Sequence, residues 1–306
     1  MQKGLKILVP TSILFFLVWT IIQKWTLVFN QIASANFILL LASLVVLAST
    51  YVGGAYFWYK ILQAISFQTS FKEVFRVFIV SNFGRFIPGV VLHYVVRVYL
   101  SKGLGLGVKE GLSTVFLEAY YNLAGAIIVS LLALPIAAKF FPPLWLFSVA
   151  AVVLSVVVFI QPVKVFALLP RLPYLGKYLP EVIYKNGFRG HLSLLGLSVG
   201  FFLLYGVAFF LLISAFVDNP LSRILDISGL LSASWVVGFL TPVAPGGLGV
   251  SDFSLAFLLK IFYDFSLASF LALAFRFNLF LAECLMFLLV IKLFGFDVVS
   301  SFKRSK

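Results

Sequence analysis

Six charged side chains sit in or beside strongly apolar stretches. Arg85 and Arg97 fall in 71–100, "FKEVFRVFIVSNFGRFIPGVVLHYVVRVYL". Glu118 falls in "LEAYYNLAG", Arg276 and Glu283 fall in "AFRFNLFLAEC", and Asp252 closes "TPVAPGGLGVSD". An ionised group in such surroundings is costly unless it is paired or wetted, so it is a functional candidate by default. The chemistry on offer is recognition rather than bond-making. Guanidinium groups bind phosphate in two-pronged fashion, and carboxylates can balance them, engage an amino or sugar group, or carry a proton.

Each group also has a plainer reading. Arg97, at the exit of its segment, could snorkel to an interface; Arg85, three residues before Pro88, has no such exit. His93 reads as a packing residue. Glu118, Tyr121, Asn122 and Gly125 follow i, i+3, i+4, i+7 spacing and form one polar stripe. That stripe either binds a neighbouring helix or sets Glu118 against Arg85 or Arg97. Arg276 and Glu283 are seven apart on one helix face and form a candidate intramembrane pair, structural or functional.

Pro242 and Pro245 stop a helix, while Gly246, Gly247 and Gly249 permit positive φ and close backbone approach. Asp252 then stands in the first turn of a following helix, where the dipole favours an acid. The segment is either a loop with Asp252 as its cap or a re-entrant tip that lines a cavity. Irregular backbone at membrane depth is tolerated only where protein or water covers it.

Composition supports the membrane setting. The 306 residues are 62% hydrophobic and 11% charged, with a mean hydropathy of +1.13, beyond the range of soluble domains. The net charge of +13 collects in short loops, which points to topology and anionic head groups rather than nucleic acid. The single Cys284 excludes an internal disulfide and a cysteine-based metal site. No P-loop or nucleotide fingerprint is present, so ATP-driven pumping by this chain alone is not expected. No cofactor is expected.

Full-length spans are expected at 5–22, 36–59, 112–136, 142–160, 192–216 and 266–291. The first reads as a retained helix rather than a cleaved signal. Regions 71–100 and 224–264 are instead pairs of short apolar segments joined by Pro-Gly. They resemble each other: "VSNFGRFIPGV" overlays "VVGFLTPVAPGG", with Pro88 and Gly89 at the tip of one and Pro245 and Gly246 at the tip of the other. Asn122 then falls near Asn278. Each half has three spans and one hairpin, so the second half must be inverted. The inner segments hold 18 of the 23 Lys and Arg, and Lys24, Lys139, Arg223 and Lys260 lie outside, which sets both termini in the cytoplasm. Two full spans over 224–264 would leave the same parity. The loop 161–190, with four Pro and five Lys or Arg, is an interfacial segment on anionic lipid or a connector.

The fold class expected is thus an all-α polytopic membrane protein of two inverted repeats, 1–136 and 142–292, in one membrane domain with a basic tail at 293–306. Inverted repeats with broken helices are a transporter signature.

"GRFIPG", Arg97, "LEAYYN" and "TPVAPGGLGVSD" resemble the transmembrane region of lysylphosphatidylglycerol synthases over roughly 30–292. "PGGLGV" with an acid two residues on is the most specific part. The family usually has Glu where this chain has Asp252, and a basic residue where it has Ser251. The resemblance implies translocation of an aminoacylated or other anionic phospholipid, or of a polyprenyl-linked glycolipid, across the cytoplasmic membrane. The soluble synthase domain does not follow "KRSK", so lysyl transfer is not expected. A separate lipid-modifying enzyme or glycosyltransferase is an expected partner. A membrane-embedded enzyme acting on a lipid head group, or an accessory subunit of a glycosyltransferase, are the alternatives. The expected site comprises Arg85, Pro88, Gly89, Arg97, Glu118, Tyr121, Asn122, Pro242, Pro245, Gly246, Gly247, Gly249, Asp252, Arg276, Asn278 and Glu283.

Overall fold

The computed structural model describes residues 15–19, 21–23, 25–83, 92–140, 187–241, 247 and 249–295. The expected span 142–160, most of the 161–190 loop, the centres of both Pro-Gly segments and the tail from 296 lie outside the described residues. Among the described residues the chain is helical, with no strand. Helical residues 15–19 and 21–23 precede α1 (Trp25–Ala33), α2 (Phe37–Ala64), α3 (Phe71–Asn82), α4 (Leu92–Ser101) and α5 (Val108–Ser130). A 3-10 turn, Leu131–Ala133, leads into α6 (Leu134–Phe140). The second half holds α7 (Phe188–Phe216), α8 (Ile224–Leu240), α9 (Val250–Leu259) and α10 (Phe265–Phe294).

Among the described residues, five segments are long and apolar enough to cross a membrane: α2, Val108–Phe140, α7, Leu221–Leu240 and α10. Local signals set their ends. Asn36 Oδ1 accepts from the N–H of Ile38 and Leu39 at the start of α2. Asp264 accepts from Ser266 at the start of α10, and Ser70 accepts from Glu73 at the start of α3. Each fills donors that a helix N-terminus leaves open. The observed helices overrun the expected spans because they carry interfacial residues in their last turns. Lys60, on the last turns of α2, lies 5.4 Å from the Tyr56 ring centroid, and Lys72 of α3 lies 5.3 Å from that of Phe294 at the end of α10.

The two broken regions are pairs of helices, but the second is not two short ones as expected: Leu221–Leu240 is long enough to cross a membrane, and only α9 is short. With 12 residues in α3 and 10 in α9, their lengths are about 18 Å and about 15 Å at roughly 1.5 Å per residue. Hydrocarbon about 30 Å thick exceeds each of them. At the far end of the second pair, Arg223 before α8 lies 4.8 Å from the Phe262 ring centroid after α9. Tyr263 Oη donates to Asn219 Oδ1 at 3.1 Å beside it, so α8 starts where α9 ends.

Packing follows one plan in both halves. The central contact joins α2 to α7, which run antiparallel: the Asn36 N–H donates to Ala215 O at 2.8 Å and Ser43 Oγ donates to Ala208 O at 2.7 Å. Then α2 packs on α3 and α10, as α7 packs on α8 and α5. In turn α3 packs on α4 and α10, as α8 packs on α9 and α5, while α4 packs on α5 as α9 packs on α10. Exchanging α2, α3, α4 and α5 for α7, α8, α9 and α10 leaves these contacts unchanged.

Small residues let the backbones meet. A Cβ on Gly206 of α7 would fall 2.7 Å from the Ser228 Cα of α8, and one on Gly125 of α5 would fall 2.8 Å from the Ser198 carbonyl carbon of α7. Without a hydrophobic drive between helices in lipid, such close approach supplies much of the association energy. Gly206→Ala should therefore lower the thermal unfolding midpoint in detergent, by the equivalent of about 1–3 kcal/mol of overpacking. Gly196→Ala, where a Cβ meets nothing within 4 Å, should leave the midpoint unchanged or slightly raised. A midpoint unaffected by Gly206→Ala would show the α7–α8 contact to be loose.

Candidate functional site

A cavity of about 780 Å³ lies where α2 to α5 meet α7 to α10. Its walls are largely apolar and aromatic, as in most small-molecule pockets, but two arginine–carboxylate pairs are set in them. Val95, Tyr99, Phe239 and Phe280 line it and are also exposed, so it reaches the outer surface between α4, α8 and α10. Exposed Lys102 lines its edge near the α4–α5 turn.

The first pair joins α4 to α5. Arg97 is 1% exposed yet fully partnered. Its Nη1 donates to Glu118 Oε2, its Nε to Ser81 Oγ at 3.0 Å and its Nη2 to Asn82 Oδ1 at 2.7 Å. The Phe78 ring centroid lies 4.3 Å from the guanidinium carbon and that of Trp58 5.4 Å, so aromatic faces add to the compensation. Arg97 thus fastens α4 to the end of α3 and to α5. Snorkelling does not describe it, because its head group points inward.

The second pair joins α9 to α10. Arg276 Nε donates to Asp252 Oδ1 at 2.8 Å and its Nη2 to Ser251 Oγ at 2.7 Å. The same Nη2 lies 2.7 Å from Asp252 Oδ1. Asp252 Oδ2 accepts the Gly249 N–H at 3.0 Å, and Ser251 Oγ donates to Gly247 O at 2.8 Å. Gly247 and Gly249 have φ of 72° and 78°, where a side chain is strained. Gly247 also lies against the backbone of Gly238, so the turn is held to the end of α8. The side chain of Arg276 is 30% exposed. The two pairs occupy matching helices with signs reversed: arginine on α4 and carboxylate on α5, carboxylate on α9 and arginine on α10.

Of the residues expected at the site, Arg97, Glu118, Asn122, Gly247, Asp252, Arg276 and Glu283 line the cavity. Arg85, Pro88, Gly89, Pro242, Pro245 and Gly246 lie outside the described residues. Three others point elsewhere. Tyr121 is buried, with its Oη 3.0 Å from His191 Nδ1 on α7. Asn278 Nδ2 donates to Ser43 Oγ at 2.8 Å, tying α10 to α2. Gly249 acts through its backbone at the start of α9. The stripe on α5 is two rows: Glu118 and Asn122 face the cavity, while Tyr121 and Gly125 face α7. Residues four apart stack along one ridge, so i and i+3 diverge where two neighbours compete for the face.

The expected Arg276 partner on its own helix, Glu283, is replaced by Asp252. The first turn of α9 packs against α10 and brings its carboxylate within bonding distance, whereas Glu283 is two turns further on. Asn82 and Ser81 are absent from the residues expected at the site, and Ser251 enters the sequence reading only as a departure from the family pattern. Their proximity to Gly84 or Gly249 was the available signal. His93, read as packing, lines the cavity.

Breaking a buried pair from one side strands the other charge, at a cost of about 3–5 kcal/mol. Arg97→Gln and Glu118→Gln should each lower the unfolding midpoint strongly, and the double variant should recover part of the loss. Additive losses in the double variant would contradict the pairing.

Comparison with curated proteins gives no match. Residues 5–286 match the family model described as the lysylphosphatidylglycerol synthase TM region. With that match over most of its length and, among the described residues, five helices long and apolar enough to span a membrane, the chain is an integral membrane protein and belongs to the lysylphosphatidylglycerol synthase TM region family.

Proposed function

We propose that the protein translocates a lipid with an anionic head group across the cytoplasmic membrane, without chemical change to the lipid. The observation that carries this reading is a cavity with two arginine–carboxylate pairs midway along apolar helices. Glu118 is ten residues into α5 and Arg276 eleven residues into α10, or about 15 Å along each axis. In hydrocarbon about 30 Å thick, that is mid-depth. Buried charge there is expensive and marks substrate pathways. Membership of a family named for a phospholipid synthase's membrane part favours lipid as the cargo.

In this reading α3–α4 and α8–α9 are re-entrant pairs that enter from opposite leaflets, and the halves are inverted repeats. The antiparallel α2 and α7 and the repeated packing plan support that arrangement. Both termini face the cytoplasm, by the distribution of Lys and Arg. The head group occupies the polar cavity and meets Arg276, while the acyl chains remain in lipid beyond the aromatic rim at Tyr99, Phe239 and Phe280. A separate enzyme makes or consumes the cargo.

The test is reconstitution in vesicles with head-group-labelled phosphatidylglycerol and a membrane-impermeant reductant. Wild-type protein should bleach more label than the outer leaflet holds, and Arg276→Gln should abolish the excess. Gly196→Ala should retain it. Wild-type vesicles with no excess bleaching for phosphatidylglycerol, aminoacylated phospholipid or polyprenyl phosphate, with or without an ion gradient, would end the translocase reading.

A further inference from the structure

The two arginine–carboxylate pairs differ in what could open them. Arg97 is 1% exposed, and its Nε, Nη1 and Nη2 each hold a protein acceptor. A ligand reaching Arg97 would have to strip three contacts from a buried cation. Arg276 presents 30% of its side chain on the cavity wall. Its bond to Asp252 uses one carboxylate oxygen, Oδ1. The other, Oδ2, stays with the Gly249 N–H, in the first turn of α9, where the helix dipole also favours an acid. Opening this pair therefore leaves Asp252 with a second support, and Arg276 with an incoming anion in its place.

Resting on the translocase reading, we propose that Asp252 is an intramolecular competitor for the lipid phosphate. The phosphate displaces the Asp252 carboxylate from Arg276 on binding, and the carboxylate displaces the phosphate on release. A guanidinium offers a fork that fits carboxylate and phosphate alike, so one anion replaces another without leaving the cation bare. The same competition keeps affinity low enough for the lipid to leave. Ser251 remains on Arg276 Nη2 and holds the guanidinium in place during the exchange.

This assigns a sign that loss of structure would not produce: removing the carboxylate should tighten binding. The full chain in nanodiscs of neutral lipid is titrated with acyl-labelled phosphatidylglycerol, with acyl-labelled diacylglycerol as the phosphate-free control. Asp252→Asn should bind phosphatidylglycerol about twofold to fivefold more tightly, the range set by one partly exposed ion pair. It should also translocate the lipid more slowly in vesicles. Arg276→Gln should lose the binding, and the double variant should behave as Arg276→Gln. Asp252→Ser, which keeps an acceptor for the Gly249 N–H, is the second variant.

Tightening toward inorganic phosphate as well as lipid would identify the phosphate group alone as the ligand. Tightening toward lipid only would identify the head group with its glycerol. Unchanged or weaker binding in a folded Asp252 variant would overturn the exchange while leaving translocation standing. Unfolding of both Asp252 variants would overturn it too, since the pair must open without collapse. Wild-type protein that binds no phospholipid would overturn the exchange and the translocase reading together.

Discussion

A guanidinium that cannot lose its proton must be matched by acceptors wherever it is buried, and in an apolar bundle those acceptors must come from other helices. Arg97 and Arg276 impose that condition on everything near them. Arg97 draws Ser81 and Asn82 from the end of α3 and Glu118 from the middle of α5. Arg276 draws Ser251 and Asp252 from the start of α9. Arg97 thereby fastens α4 to α5, and Asp252 fastens the start of α9 to α10. The cavity lies beside these fastenings, where α2 to α5 meet α7 to α10.

That α2–α7 pair supplies the opposing frame. Its antiparallel contact is sealed by Ser43 on Ala208 and extended to α10 by Asn278 on Ser43. Gly125 against Ser198 and Gly206 against Ser228 bring α5 and α8 onto α7 at backbone distance. Because lipid offers helices no hydrophobic reason to associate, these close approaches and short hydrogen bonds carry the packing. The frame is thus closely packed on the α7 side, while the aromatic rim at Tyr99, Phe239 and Phe280 is exposed.

The reversal of sign between the halves gives the cavity two unlike walls. One carries a guanidinium sealed by three side chains and aromatic rings. The other carries a guanidinium partly open to the cavity and held by a carboxylate with a second hydrogen-bond donor. Corresponding places in the packing plan thus differ in exposure: the Arg97 side chain is 1% exposed and that of Arg276 30%. The proposed contact between lipid phosphate and Arg276 draws on that difference in exposure and on a family named for a phospholipid synthase's membrane part.

Composition and span length, read from the sequence, determined the membrane setting, the helical class and the approximate positions of α2, α5, α7 and α10. A stretch of some 20 apolar residues has few other options in hydrocarbon. The end of α8 before Pro242 and the start of α9 after Gly249 were legible too, since proline and glycine act locally. So was the candidacy of Arg97, Glu118, Asp252 and Arg276, which stood out against an apolar background. Partner choice was not legible. Helical periodicity set Arg276 and Glu283 on one face and put Tyr121 and Asn122 in one stripe. Only the packing of α9 on α10 gave Arg276 to Asp252, and only the seating of α7 turned Tyr121 away from the cavity toward His191. Pairing across helices depends on rotation and register between segments far apart in the chain. Those are fixed by the sum of many contacts, and no short stretch of sequence contains them.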